Sequence, residues 1–362
     1  MKKKPSSPFD PVISSRPFGE LRDGTVVEAW TLKNPGGLEV EIITYGGIVT
    51  RLLTPDEDGS RADIVLGFDT LEKYLGDHPY FGAVVGRIAG RVAGGRLEVG
   101  EESFSLDCND PPNHLHGGPN SIDRKVWKAI ALHRPDKAPS LELRCHSPHR
   151  ENGYPGAVDL TARYTLTEAN ELIFETEART DRITPISLTQ HSYFNLTGEG
   201  SSTIHGHELQ IESGQIFSVD KDMTLLGSVK SAEGSAADFR QPKPLHEAIS
   251  GLFQKHGDLY WLGESPTLRP VATVRDQDSG RVLRVSSDLP CLQLYTSVSL
   301  DGSLTGKSGH RYPGFSGLCL ECEGYPQANT PGEFGSILVH PDTPQTSITV
   351  YHFSTDSTLF SQ

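Results

Sequence analysis

Short stretches of alternating apolar and polar residues dominate this chain, and that pattern predicts β-strands. The clearest stretches, all rich in β-branched and aromatic side chains, are residues 38–45, 160–166, 172–177 and 347–353. Helical periodicity is confined to residues 70–75 and 245–249, each long enough for a turn or two. Because the strands do not alternate with longer helical segments, a parallel sheet with crossover helices is excluded. The pattern predicts an all-β fold, a large antiparallel sandwich or barrel with few short helices.

The chain of 362 residues is expected to form a single domain, because no internal repeat or low-complexity linker divides it. It begins with a methionine and three lysines, but prolines, serines and an aspartate interrupt the apolar stretch that a secretory signal needs. We therefore expect a disordered leader at residues 1–15, one domain at 16–362 and cytoplasmic residence. The polar segment 227–244 contains Gly, Ser and Pro and predicts a surface excursion.

Composition and charge narrow the class of partner. Hydrophobic residues make up 35% of the chain, and 37 glycines add to them, which is enough for a sizeable core and excludes global disorder. A net charge of −14 provides no broad basic face for nucleic acid, and no apolar run is long enough to span a bilayer. The five cysteines are odd in number and sparse, so no disulfide framework is implied, which favours a reducing compartment.

Four segments place reactive side chains in strand-like surroundings, and the first is the glycine-rich stretch 86–96. Its glycines allow the backbone to turn sharply or to approach a ligand. It lacks the Gly-Lys-Ser/Thr sequence of a phosphate-binding loop, so we reject that interpretation. Arg91 is a candidate for a forked pair of hydrogen bonds to a ligand's oxygens, and an ordinary surface arginine is the alternative.

The second segment is 113–118, which contains His114 and His116 followed by two glycines. On an extended backbone both histidines project to one face, which is also the spacing of a metal-binding pair. Without a nearby carboxylate this is a weak signal for a metal, and two structural histidines are the alternative.

The third segment is 190–198, where His191, Tyr193 and Asn195 would share one face of a strand. Such a face is a plausible pocket wall, and a histidine can exchange a proton near neutral pH. A buried histidine with satisfied hydrogen bonds is the alternative. A serine-hydrolase triad is excluded because His191 and Ser192 point apart and no Gly-x-Ser-x-Gly sequence occurs.

The fourth segment is 317–323, which has the sequence Gly-Leu-Cys-Leu-Glu-Cys-Glu. On a strand, Cys319, Glu321 and Glu323 face away from the core, whereas Cys322 faces into it. The two cysteines are therefore not half of a zinc site. A carboxylate in so apolar a strand is costly unless it is hydrogen-bonded or functional, so Glu321 is a candidate base. A position on a solvated face is the alternative.

These four segments, in this order and at these separations, resemble the aldose 1-epimerases. The resemblance extends over about residues 18–355 and implies a large antiparallel β-sandwich that binds a sugar in an open cleft. Carried over by position, Glu321 matches the family's catalytic base and His191 its catalytic acid. The positions that match sugar-binding residues are Arg91, His116, Asp258 and Gln293.

Two departures from the family pattern concern sugar binding. Many members have asparagine immediately before the binding arginine, whereas this chain has Gly90, which removes one side-chain hydrogen bond to the sugar. Around Asp258 the alignment needs a one-residue gap, because Leu259 and Tyr260 stand where the family has His-Asn or similar residues. The resemblance therefore determines the preferred hexose less closely than it determines the reaction.

The resemblance implies interconversion of the α and β anomers of free glucose or galactose, with no metal and no cofactor. The expected partner is a small aldose, not nucleic acid or a membrane, and the chain is expected to be a monomer or homodimer. Three alternatives are a hexose 6-phosphate epimerase that uses Arg87 or Arg96, a non-catalytic carbohydrate-binding protein, and a glycosidase that pairs Glu321 with Glu323. The last is disfavoured because two residues on one strand face do not flank a glycosidic bond.

Overall fold

The computed structural model describes residues 12–132, 138–201, 203–252, 257–327 and 334–355, and most of its regular structure is β. The first strands are β1 (Val12–Glu20), β2 (Val26–Lys33), β3 (Glu39–Ile43), β4 (Val49–Pro55), β5 (Arg61–Asp63), β6 (Val84–Val85), β7 (Arg91–Val92), β8 (Arg96–Val99), β9 (Glu102–Ser105) and β10 (His114–Leu115). There follow β11 (Lys128–Leu132), β12 (Ser140–Ser147), β13 (Val158–Leu166), β14 (Glu171–Thr180), β15 (Thr184–Pro185), β16 (Thr189–Gln190), β17 (His207–Ile211), β18 (Gln215–Val219) and β19 (Leu225–Ser231). The remaining strands are β20 (Lys243–Pro244), β21 (Asp258–Trp261), β22 (Arg269–Asp276), β23 (Val282–Ser287), β24 (Cys291–Tyr295), β25 (Cys319–Glu323), β26 (Leu338–Val339) and β27 (Gln345–Ser354).

Helices are few and short. The described residues contain two α-helices, α1 (Leu71–Leu75) and α2 (Leu245–Ala248). Single 3₁₀ turns occur at Ala93–Gly95, Ile122–Arg124, Glu151–Gly153, Ile204–Gly206, Ile249–Gly251 and Lys307–Gly309. In the portion of the chain that the structure covers, no helix has the length and apolar character needed to cross a membrane.

Three large sheets organise the molecule. The first contains β1 to β5 in chain order, and the second has nine strands in the order β11-β12-β13-β14-β27-β23-β22-β17-β20. The third has the order β19-β18-β21-β24-β25, and the ladders in all three are antiparallel. In the nine-stranded sheet β27 pairs with β14 on one side and with β23 on the other, so it joins the β11–β14 meander to the β23-β22-β17-β20 half of the sheet.

The apolar alternation that predicted the strands reappears as burial in the structure. Along β14 the buried and half-buried positions alternate almost without interruption, which is typical of a strand with one face on a core. The largest apolar cluster contains Leu52 of the first sheet, Phe174 of the second and Leu294 of the third. The sheets therefore pack their apolar faces over a shared core, and the prediction of an all-β antiparallel fold is confirmed.

Two boundaries differ from the predictions. Residues 1–11 of the predicted leader lie outside the described residues, whereas residues 12–15 belong to β1 and pair with β2. The predicted surface excursion at 227–244 is wrong in part, because its first residues continue β19. Within it, Phe239 is fully buried in the main core, so the segment packs against the sheets instead of extending from them.

Candidate active site

A cavity of roughly 660 Å³, including space open to solvent, lies where the third sheet meets the loops around β7 and β16. It brings together side chains from all four segments that the sequence singled out. Its lining residues are Pro79, Tyr80, Gly90, Arg91, Leu115, His116, His191, Tyr193, Gln293, Tyr295, Ser299, Glu321 and Glu323. Four separate parts of the chain thus converge on one concave surface.

Strands β24 and β25 form one wall of this cavity. Their register places Gln293 directly opposite Glu321, and both side chains line the cavity. Glu321 is only 2% exposed, so its alternative position on a solvated face is ruled out. As predicted, Cys319 and Cys322 lie on opposite faces, since they belong to two different apolar clusters.

His191 stands next to Glu321, with its Nε2 atom 3.4 Å from Oε2 of the carboxyl group. Its other ring nitrogen, Nδ1, lies 3.6 Å from Sγ of Cys319. The ring stacks on Tyr193, with the two centroids 5.2 Å apart, and also on Tyr80. These contacts fix the plane of the imidazole and direct Nε2 towards the carboxyl group.

The predicted face with three polar side chains is only partly formed. Strand β16 ends at Gln190, and the chain beyond it is not a regular strand. His191 and Tyr193 line the cavity, whereas Asn195 is fully buried elsewhere and its amide donates a hydrogen bond to the carbonyl of Ser316. Asn195 is therefore not part of the cavity wall.

Burial shifts the pKa values of the His191–Glu321 pair in opposite directions. It raises the pKa of Glu321 to about 8, with a smaller opposing effect from the positive charge of Arg91. It lowers the pKa of His191 to about 4. Near neutral pH the pair therefore holds one proton, which burial alone places on the carboxyl group. A pair of adjacent groups that holds one proton contains one acid and one base.

Arg91 and His116 line the cavity beside this pair, and the ring centroid of His116 lies 5.3 Å from that of His191. The Nε atom of Arg91 donates to Oδ2 of Asp110 at 2.7 Å, which anchors the guanidinium group. The backbone N–H of Gly90 donates to Nδ1 of His116 at 3.2 Å. Since burial also lowers the pKa of His116 well below its usual value, the ring is neutral and its proton resides on Nε2. His116 therefore offers a hydrogen-bond donor at Nε2.

The expectation that His114 and His116 share one face is wrong. Strand β10 ends at Leu115, because His116 adopts a positive φ of 49° and breaks the extended geometry. His114 instead contacts the hydroxyl of Tyr154 and the carbonyl of Asp107, each at 2.7 Å. His114 is therefore a structural histidine, as the alternative held, and the spacing of the two histidines does not produce a metal-binding pair.

A different trio of residues has the composition of a metal site. Ligand atoms of His116, His191 and Glu321 all lie within 4.8 Å of one another. However, the charge of Arg91 is close enough to lower the pKa values of both His116 and Glu321, and the same charge repels a cation. The prediction that the site uses no metal stays a prediction.

Asp258 is not among the residues that line the cavity. It begins β21 and pairs with Leu294, one position away from the cavity residue Gln293. Its role in sugar binding stays a prediction. The cavity does bring together the other five predicted site residues, which are Arg91, His116, His191, Gln293 and Glu321.

The two arginines considered for a sugar phosphate are not available to the cavity. Arg87 is 2% exposed and donates to the carbonyls of Ser147, Pro148 and Pro155. Arg96 is an exposed residue of β8 and does not line the cavity. Among the described residues that line this cavity, Arg91 is thus the one lysine or arginine.

The sequence analysis did not assign roles to several residues that the cavity brings in. Tyr80 stacks on His191 and has a positive φ of 58°. Asp110 anchors Arg91, and Ser299 lines the cavity beside Tyr295. None of these residues lies in a distinctive pattern, because each reaches the site only through tertiary packing.

The chain is similar to known proteins over most of its length. A family model described as aldose 1-epimerase matches residues 28–352. The chain is 39% identical to a galactose mutarotase of Rattus norvegicus, over 93% of this chain and 97% of the relative. It is 29% identical to an aldose 1-epimerase of Escherichia coli, over 91% and 96% of the two chains.

A solved structure of an aldose epimerase homologue from C. elegans superimposes with a TM-score of 0.81 at 28% identity, covering 89% of this chain and 97% of that one. A galactose 1-epimerase from Lactobacillus acidophilus gives a TM-score of 0.80 at 26% identity, covering 95% and 99%. The match to the family model extends over most of the chain, and the curated relatives match over nearly all of it. The chain belongs to the aldose 1-epimerase family of isomerases.

Proposed function

We propose that this protein interconverts the α and β anomers of free hexoses such as glucose and galactose. The observation that carries the proposal is the buried pair of His191 and Glu321, whose Nε2 and Oε2 atoms lie 3.4 Å apart at the wall of an open cavity. Their shifted pKa values leave one proton between the two groups near neutral pH. Opening a pyranose ring needs one base at the C1 hydroxyl and one acid at the ring oxygen. The pair provides both near neutral pH.

In the proposed reaction, Glu321 as carboxylate takes the proton of the C1 hydroxyl while His191 as imidazolium protonates the ring oxygen O5. The C1–O5 bond breaks and C1 becomes an aldehyde. Rotation about the C1–C2 bond presents the other face of the carbonyl. The two residues then exchange roles: His191 removes the proton from the O5 hydroxyl, Glu321 returns one to the carbonyl oxygen, and the other anomer forms.

These roles require that the shared proton moves from Glu321 to His191 when sugar binds. The distance of 3.4 Å between Nε2 and Oε2 makes the two groups immediate neighbours. Arg91 favours the carboxylate form of Glu321, and a sugar hydroxyl that donates to the carboxylate favours it further. Positioning of the ring is assigned to Arg91, His116 and Gln293, since hydrogen bonds to the hydroxyls hold C1 near the acid and the base.

The described lining of the cavity provides no cation beyond Arg91, which favours an uncharged sugar over a sugar phosphate. Arg91 is already paired with Asp110, and two carboxyl groups, Glu321 and Glu323, line the same space. A phosphate group would need a further cation, and neither Arg87 nor Arg96 lines the cavity. The hexose 6-phosphate alternative is therefore less well supported than free hexoses.

Polarimetry of freshly dissolved α-D-glucose and α-D-galactose is the direct test. We expect the protein to accelerate the approach to the equilibrium rotation for at least one of the two sugars, whereas glucose 6-phosphate is expected to be a poor substrate. The ratio of the two rates would rank the sugars. If neither free sugar equilibrates faster than in buffer alone, the proposed activity is wrong.

The pH dependence should follow the shared proton. Above about pH 8 the pair has lost its proton and contains no acid, whereas below about pH 4 both groups are protonated and no base remains. We expect kcat/KM, corrected for the spontaneous rate in each buffer, to be bell-shaped between these limits. A profile that stays flat through both limits would contradict an essential acid–base pair.

We expect no cofactor, because ring opening exchanges only protons and changes no oxidation state overall. The expected partner remains a small aldose. Cytoplasmic residence, a monomeric or homodimeric state and a single domain over residues 16–362 stay predictions from the sequence.

A further inference from the structure

A second carboxyl group faces the cavity and has no part in the proposed proton transfer. Glu323 follows Glu321 by two residues on β25, so both project from the same face of the strand. Glu323 is 2% exposed and lines the cavity. Among the residues that the structure describes, none forms a hydrogen bond with its buried Oε2 atom. A buried polar atom without a partner is unusual and needs an explanation.

The neighbour of this carboxyl group is Gly90, where the sequence departs from the family pattern. A Cβ atom at Gly90 would lie 3.5 Å from Oε1 of Glu323 and 2.9 Å from Cγ of Pro326. The Glu323 carboxyl therefore borders the space that a side chain at position 90 would enter. The structure thus provides a polar group at the place where the sequence analysis expected a sugar hydrogen bond to be lost.

We propose that Glu323 is a further sugar-binding residue, which pairs with one hydroxyl of the bound aldose on the side of the cavity where Gly90 has no side chain. This inference rests on the proposed function and concerns affinity and the choice of sugar. A sugar hydroxyl would supply the partner that Oε2 lacks. Unlike Glu321, Glu323 has no contact with a histidine among the described residues, so it is assigned to binding and not to proton transfer.

The protonation of Glu323 is consistent with this role. Burial and, to a smaller extent, the neighbouring Glu321 carboxyl raise the pKa of Glu323 well above its usual value. A neutral carboxyl group both donates and accepts a hydrogen bond, as a hydroxyl does. It therefore suits a neutral sugar and avoids a second buried negative charge beside the base.

The test compares Glu323→Met, which keeps the approximate shape and removes the polar atoms, with Glu323→Gln, which keeps one donor and one acceptor. For Glu323→Met we expect KM to rise about tenfold while kcat stays within about threefold. For Glu323→Gln we expect KM within about threefold of the parent. If Glu323→Met does not fold, Glu323→Asp, which withdraws the carboxyl from the cavity, takes its place with the same expectation.

A series of monodeoxy sugars separates binding from a merely structural role. If one hydroxyl pairs with Glu323, the sugar that lacks it should bind the parent and Glu323→Met equally well, whereas every other sugar in the series should distinguish them. The proposal is overturned if KM is unchanged in both Glu323→Met and Glu323→Asp. It is also overturned if Glu323→Met weakens the binding of every deoxy sugar by the same factor.

Sugar binding measured by calorimetry keeps this proposal separate from the proposed activity. A parent protein that binds galactose or glucose but does not accelerate their equilibration would refute the activity, and the deoxy series would still decide the role of Glu323. A parent that neither binds nor converts these sugars would refute both.

Discussion

Glu321→Gln is expected to lower the rate of anomer interconversion by about 10²–10⁴-fold, the usual contribution of one general acid or base. The amide has nearly the same shape as the carboxyl group and can still bond to a sugar hydroxyl, but it cannot take a proton. KM should therefore change little, and the loss should appear in kcat. Polarimetry with α-D-galactose and α-D-glucose measures both.

The stability of the same variant provides an independent check. Because burial raises the pKa of Glu321 to about 8, the folded protein holds a proton that the unfolded chain releases near pH 4.3. This linkage makes the parent lose stability as the pH rises between those two values, and glutamine removes the effect. The melting temperature of Glu321→Gln relative to the parent should increase across that window. A variant that loses its secondary structure would instead indicate a structural role for Glu321.

His191→Asn is expected to cause a loss of similar size, about 10²–10⁴-fold in kcat. Asparagine keeps a polar side chain but cannot deliver a proton to the ring oxygen. Arg91, His116 and Gln293 remain in place, so we expect KM to stay close to that of the parent. The basic limit, which reflects loss of the acid, should disappear, whereas the remaining activity should still rise with pH as Glu321 loses its proton.

His207 is a matched control for this substitution. It is fully buried, and burial lowers its pKa to about 4, as for His191. Its Nε2 atom accepts the backbone N–H of Leu196, and it does not line the cavity. His207→Asn should lower the melting temperature while kcat is preserved. Equal losses of turnover in the two variants would show that burial of a histidine, not proton transfer, explains the effect.

The strands were predictable because alternation reports directly on burial in an antiparallel sheet. Residues 160–166 and 172–177 became β13 and β14, each longer than predicted, since polar residues at their ends also join the ladder. Segment 227–244 was harder to interpret. Its composition is polar, but Phe239 within it is anchored in the main core.

The site was predictable where position along a strand decides which way a side chain points. Glu321 was identified as a candidate for this reason, because a carboxylate in an apolar strand is costly. His114 and His116 show the limit of that reasoning. Their separation results from the positive φ of His116, which accompanies mutual hydrogen bonds with Gly90, a residue 26 positions earlier. No local pattern in the sequence contains that contact.

Arg87 shows a second limit. It lies in a glycine-rich segment that resembles a ligand-binding loop, yet its guanidinium group is buried and donates to the backbone carbonyls of Ser147, Pro148 and Pro155. Arg91, four residues later, reaches the cavity. Both arginines lie in the same glycine-rich segment, so the composition of that segment does not distinguish them. Their different positions depend on the loops that each side chain contacts.

The position of β27 has a consequence for how the chain is made. The meander of β11 to β14 is complete once residue 180 has been synthesised, and every residue assigned to the site precedes residue 324. Yet β14 and β23 acquire their shared neighbour only when residues 345–354 leave the ribosome. Until then both strands present unpaired backbone groups, the kind of edge along which incomplete chains associate. A premature stop shortly after the catalytic strand would therefore leave the active-site residues intact and the nascent protein prone to aggregation.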